Sequence, residues 1–290
     1  MNTRSKKRIK YDEEEEKPLY IHTKTSEWTE HDQASFSIFI DDAANEKDIV
    51  EQIDNLDDVY GRLILPGWDR GKFLTFEHTH HPHPSHDRQI MTIIGKISDI
   101  VLAEKAKSTH ENIVDSFMAS LLSFLQFDYY PLSIHPQYDY QVRFMNDKHR
   151  ISSVVEFMIL KSHTNGRHAI LFVEDKHTAN VSAMRNWEEP QIAGEIFGSA
   201  HHNGSLKYPF DIFAVRVVGT RFTFYRAIVH EEYLKECVTQ GLPKNNVLMI
   251  KRYPKDADPY KAWDLCVEDD RIKILTMLRS IEHKSINMEF

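Results

Sequence analysis

Two short stretches place charge where the chain otherwise reads as buried strand. In "AILFVEDK" (residues 169–176) five apolar or small residues lead into Glu174, Asp175 and Lys176, and in "VVEFM" Glu156 has apolar neighbours on both sides. Burying a charge is costly unless it is paired or binds an ion. Asn165-Gly166 lies between the stretches and is a strong hairpin signal. Folding that hairpin brings Glu156 beside Glu174. Two carboxylates on adjacent strands repel unless a cation lies between them, and an all-oxygen site suits Mg²⁺ or Mn²⁺. Lys176 is then placed to hold a water or phosphate, or to offset developing negative charge. The same residues also permit a plain cross-strand salt bridge between Glu156 and Lys176.

The elements that must position these residues follow from periodicity. "STHENIVDSFMASLLSFLQF" has a Ser/Thr cap, Glu111 in its first turn, and Ile113, Phe117, Leu121, Phe124 and Leu125 on one stripe, which predicts a helix. Three strands follow, "YDYQVRF", "SSVVEFMILK" and "AILFVEDK", as an antiparallel meander. Pro190 suits the first turn of a helix running to about His202. Two strands around Gly219, a helix ending at Gly241, and a final helix in "EDDRIKILTMLRSIEHK" complete the order. The fold class expected is α/β, an α+β sandwich with a central mixed sheet flanked by helices.

Helix, strand, an acid on the second strand, acid-x-Lys on the third, then a helix and a strand: this order resembles the PD-(D/E)XK nuclease superfamily, whose core is restriction-endonuclease-like. The resemblance covers about residues 108–230. It implies Glu156 and Glu174 as metal-holding acids, helped by the main-chain carbonyl of Asp175, with Lys176 orienting or activating the attacking water. It adds an acid from the first helix, Glu111, or Asp115 one turn later. Members similar to the RecB and Holliday-junction-resolvase branch carry a glutamine on the helix after the lysine, and Gln191 matches that placement. The first acid here is Glu rather than Asp, and Val155 rather than proline precedes it. Taken alone, E-x-K is a common pattern, Gln191 is equally an ordinary surface glutamine, and Glu111 is a first-turn acid of the kind the helix dipole favours. The activity implied is Mg²⁺- or Mn²⁺-dependent hydrolysis of nucleic-acid phosphodiesters, DNA before RNA, by an endonuclease. The alternative is a nuclease-fold binding or scaffold protein with an impaired site. Lys176, His177, Arg185, Lys207, Arg216 and Arg221 are the candidate phosphate contacts.

The rest of the chain sets boundaries. The 290 residues are 41% hydrophobic and 28% charged with net charge −8, enough apolar content for a core and too acidic for non-specific coating of nucleic acid. No apolar run approaches the ~18 residues of a membrane helix. The start, "MNTRSKKRIKYDEEEEKP", is not read as a secretory leader. Cys237 and Cys266 are too few for a disulfide framework. Residues 1–18 read as a charged tail whose basic block, Arg4 to Lys10, suits nuclear targeting, giving a nuclear or cytoplasmic expectation. Residues 19–107 form an accessory region with a strand at 35–40, a helix at 46–56 and a strand at 59–67. Residues 108–235 are the core and 236–290 a helical extension. The tract "FEHTHHPHPSHD" holds His78, His80, His81, His83 and His86, a loop with metal affinity but no closed zinc spacing. No residue demonstrates a homodimer, although cutting two strands would call for one.

Overall fold

A computed structural model describes residues 21–79, 87–107, 112–144, 149–163, 166–176 and 181–289. The charged tail, Glu111, His177, and His80, His81, His83 and His86 lie outside the described residues. Eight strands, β1 (Ile38–Asp42), β2 (Leu132–Phe144), β3 (His149–His163), β4 (Gly166–Lys176), β5 (Phe210–Val218), β6 (Arg221–Val229), β7 (Leu248–Tyr253) and β8 (Trp263–Asp264), make one mixed sheet. Its order is β1-β7-β6-β5-β4-β3-β2, with β8 pairing β6. The helices are α1 (Glu30–Ser35), α2 (Asp58–Gly61), α3 (Arg70–Thr79), α4 (Arg88–Lys105), α5 (Asn112–Phe124), α6 (Glu189–His202), α7 (Glu231–Gln240) and α8 (Glu268–Asn287). Among the described residues no helix is long and apolar enough to cross a membrane.

The meander expected from the sequence is present. β3 pairs antiparallel with both β2 and β4, and β4 pairs parallel with β5, reached through α6. β4 is covered on both faces, which is why its sequence is a continuous apolar run rather than an alternation. On one face Ile170, Leu171 and Val173 join Phe117 and Leu121 of α5, Ile94 and Ile97 of α4, and Ile274 and Leu278 of α8. On the other, Ala169 and Phe172 join Ile192, Ile196 and Phe197 of α6, with Trp28 and Phe36. The protein is therefore a helix–sheet–helix sandwich.

The accessory and C-terminal regions enter the same sheet. β1 runs parallel to β7 at its edge, so 236–290 contains two strands as well as helix. Three local expectations are corrected. Residues 46–56 form only a 3-10 turn, Glu46–Asp48, capped by Asn45; Ile49 and Val50 leave it to bury, and Ile53 N–H goes to Ser280 Oγ. Residues 59–67 are not a strand: the chain turns through α2, capped by Asp57. The carbonyls of Ile64 and Leu65 that a strand would spend on a neighbour, with that of Trp68 just beyond, are taken by the buried guanidinium of Arg271. Finally, α4 occupies 18 residues of the accessory region where no element is expected above, although Ile90, Ile93, Ile94, Ile97 and Val101 show its spacing.

The seat of α6 matters most for the site. Residues 189–200 are all buried, and the helix approaches its neighbours at two glycines. A Cβ on Gly194 would lie 2.9 Å from Thr25 and Trp28, and one on Gly198 would overlap the ring of Tyr140 on β2. Alanine normally gains about 1 kcal/mol over glycine inside a helix. Here overlap reverses the sign: Gly198→Ala is expected to destabilise by about 1–3 kcal/mol, read as a lower urea midpoint. An unchanged or raised midpoint would show that α6 does not sit this close to β2.

Candidate functional site

Alternation along β4 divides its terminal charges between the two faces. Glu174 and Lys176 turn toward α6, and Asp175 toward α5. Lys176 Nζ lies 2.8 Å from Glu174 Oε1, so the lysine pairs with the acid two residues before it on the same strand. Glu174 is only 2% exposed. Its Oε1 also accepts the side-chain amide of Gln191 at 2.6 Å, and the same nitrogen donates to Glu195 Oε1 at 2.7 Å. Gln191 and Glu195 are four residues apart on α6 and so share a face.

The start of α6 is fixed from several strands. Arg252 of β7 makes a two-pronged contact with Glu189 at 2.6 and 2.7 Å and also reaches Asp42 of β1. Tyr225 of β6 donates its hydroxyl to Glu189 at 3.0 Å. Farther along, the Tyr140 hydroxyl donates to the Glu195 carbonyl at 2.7 Å. These contacts determine where Gln191 meets Glu174.

Glu156 lies one step beyond the last paired residues of the β3–β4 ladder, Phe157 and Val173, in the register that sets it opposite Glu174. It is half-buried, and Oε2 accepts the side-chain amide of Gln137 on β2. The β2–β3 ladder skips this pair, and Gln137 takes a left-handed φ of 50°. On the opposite face of β4, Asp175 is 1% exposed and meets Asp115 of α5. Neither Asp175 carboxyl oxygen, nor Asp115 Oδ1, nor Glu195 Oε2 has a hydrogen-bond partner among the described residues.

The electrostatic consequence is a cluster of acids facing one ammonium. Burial, then the proximity of Asp115, Glu174 and Glu156, drives the Asp175 carboxyl well above the ordinary range. Burial and the charge of Glu174 do the same to Glu195, against partial relief from Gln191 and Lys176. Buried carboxyl oxygens lacking donors are the chemistry a hard divalent cation satisfies, and Mg²⁺ uses one or two carboxylates and keeps several waters. These oxygens are of the type such an ion takes, and among the described residues no group of three or more His, Cys, Asp or Glu is arranged to hold one.

The other candidates divide. Arg216, expected at phosphate, is 1% exposed and donates to the carbonyls of Trp187 (2.8 Å) and Ala257 (2.6 Å). It is corrected to a structural residue, because a guanidinium sealed among carbonyls has no face left for a ligand. Arg221 pairs with Glu104 at 3.1 Å. Arg185 and Lys207 are exposed, Arg185 lying 3.3 Å from Glu188. Glu195 was not anticipated, although its spacing from Gln191 was visible; Gln137 left no such signal, since its contact depends on a strand irregularity. Compared with models of known protein families and with curated proteins, the chain matches none.

A stability test follows from the raised Asp175 carboxyl. An acid whose pKa is higher folded than unfolded binds more protons when folded, so its contribution is lost as pH rises above the unfolded value of about 3.9. Asp175→Asn removes that loss and gives Asp115 a donor. In metal-free buffer the variant is expected to be more stable than wild type at pH 7, by about 1–3 kcal/mol, with the gap closing toward pH 4. Equal stability across that range in thermal unfolding would contradict the arrangement.

Proposed function

We propose that the protein is a metal-dependent nuclease that hydrolyses nucleic-acid phosphodiester bonds, with DNA the preferred substrate. The observation that carries this reading is the grouping of Glu174, Lys176 and Gln191 at the end of the central strand, with Glu156 one strand away. The succession α5, β2, β3, β4, α6, β5, β6 supports it, since it is the order of elements that the PD-(D/E)XK resemblance implies.

Glu156 and Glu174, with the main-chain carbonyl of Asp175, would hold Mg²⁺ or Mn²⁺, while Asp115 of α5 meets the Asp175 side chain on the other face of β4. Bound there, the ion supplies positive charge to the phosphoryl group and acidifies water. The protein's own groups do the positioning. Lys176 Nζ presents N–H donors that can orient the attacking water and offset charge on the phosphoryl oxygens. The Gln191 amide fixes the orientation of the Glu174 carboxylate. Glu156 and Glu174 bring negative potential to this strand end, which strengthens any cation bound there.

A second reading, a binding protein with an impaired site, is favoured by one feature: Glu174 and Asp175 are 2% and 1% exposed. One assay separates the two. Purified protein with Mg²⁺ or Mn²⁺ is expected to cut DNA, and Glu174→Gln or Lys176→Ala to lose at least about 100-fold of the rate while keeping wild-type circular dichroism. Binding without cutting would select the second reading. Variants that cut as fast as wild type would sink the first.

A further inference from the structure

A strained turn and an aromatic pair, one ring half-buried and one exposed, adjoin this site, and neither is used by the chemistry above. Asn186, Trp187 and Glu188 hold φ of 47°, 53° and 63°, three successive left-handed residues, none of them glycine. Such backbone is strained and persists only where its surroundings impose it. Here Arg216 imposes it by binding the Trp187 carbonyl. The turn carries the half-buried Trp187 ring to within 6.4 Å of Tyr260, at an interplanar angle of 80°. Tyr260 is 61% exposed and stands on a 3-10 turn, Pro259–Lys261, capped by Asp258. The Arg221 guanidinium lies 5.2 Å from the Tyr260 ring centroid. Two rings at a right angle, each on an anchored turn, with a stacked guanidinium, form a rigid corner rather than a core contact.

Backbone pairing places this corner at the catalytic end of the sheet. Lys176 is opposite Val218, the Gly219 N–H donates to the Lys176 carbonyl at 2.9 Å, and Arg221 begins the next strand. Trp187 precedes Gln191 by four residues on the other side.

We infer that Trp187 and Tyr260 form a stacking corner for an unpaired nucleobase, so that the substrate is a single-stranded or end-frayed nucleic acid. The inference rests on the nuclease reading and names its substrate class. A base has a flat face for one ring and an edge for the other, and its flanking phosphate meets Arg221. In a closed duplex both faces of a base are occupied by neighbours, so the corner selects against it. Stacking of this kind tolerates any base.

The test is fluorescence anisotropy in EDTA, where no cutting occurs, with labelled oligo-dT and oligo-U of about 12 nucleotides and a duplex of equal length. Wild type is expected to bind one or both single strands more tightly than the duplex. Tyr260→Ala and Trp187→Ala should weaken that binding about tenfold, while Tyr260→Phe retains it. Because Tyr260 is exposed, Tyr260→Ala should keep the wild-type melting temperature, which separates lost stacking from lost fold. Tighter duplex binding, no single-strand binding, or wild-type affinity in both alanine variants would each overturn the corner. Cutting by wild type alongside any of these leaves the nuclease reading standing, whereas single-strand binding through the corner without any cutting overturns that reading alone.

Discussion

One side-chain amide joins the two layers on which the candidate site depends. The nitrogen of Gln191 spends both hydrogens on buried carboxylates, one from β4 and one from its own helix. In a low-dielectric interior such charge-assisted bonds are strong, and an unfilled partner is correspondingly expensive. The amide can reach both only if α6 lies at one depth and one rotation against the sheet. The close approach at Gly194 and Gly198 sets the depth, and the Arg252–Glu189 and Tyr140–Glu195 contacts set the rotation. Much of the sandwich therefore serves to place a single helix relative to a single strand end.

The charge balance at that strand end differs from the rest of the interior. Elsewhere, buried and half-buried acids are met by cations or by amide donors, as Glu236 is by Asn245 and Asn246. Arg70 bridges Glu104 and Asp264 at 2.5 and 2.9 Å, and Arg221 joins the same group. Despite burial, the Cys266 N–H, Thr220 and Arg70 hold Asp264 below its ordinary range. Arg226 answers Asp211, and Arg252 answers Glu189. Around β4, by contrast, Asp115, Glu156, Glu174, Asp175 and Glu195 gather near the Lys176 ammonium, and burial with neighbouring charge pushes Asp175 and Glu195 toward protonation. Acids gathered at one strand end, two of them pushed toward protonation, cost stability there, a usual mark of a site arranged for a ligand or for chemistry.

The strained approach to α6 fits the same view. Arg216 could have been a ligand contact by residue type, yet the fold uses it to hold a backbone conformation that Trp187 would not adopt alone. The position of one aromatic ring thus depends on a buried cation 29 residues away in sequence. The sheet itself gathers segments from distant parts of the chain, with β1 lying against β7 across some two hundred residues.

What the amino-acid sequence determined by itself was whatever local periodicity and turn chemistry can dictate. The meander, the stripe of α5, Pro190 at the start of α6, Gly241 at the end of α7, and the placing of Glu174, Lys176 and Gln191 on successive elements all follow from spacing. That spacing also brought Glu156 and Glu174 to one register. Tertiary structure alone decided which partner each charge received. Lys176 paired with Glu174, Gln191 bridged to Glu195, Asp175 met Asp115 across the sheet, and Arg216 turned inward. It also overrode local pattern at 46–56 and 59–67, where Ser280 and Arg271 of α8 took the backbone groups that a helix or strand would have used. The reason is physical. Period reports which face of an element is apolar, whereas the partner of a buried polar atom depends on which distant element is packed against that face, and no local window of sequence contains both.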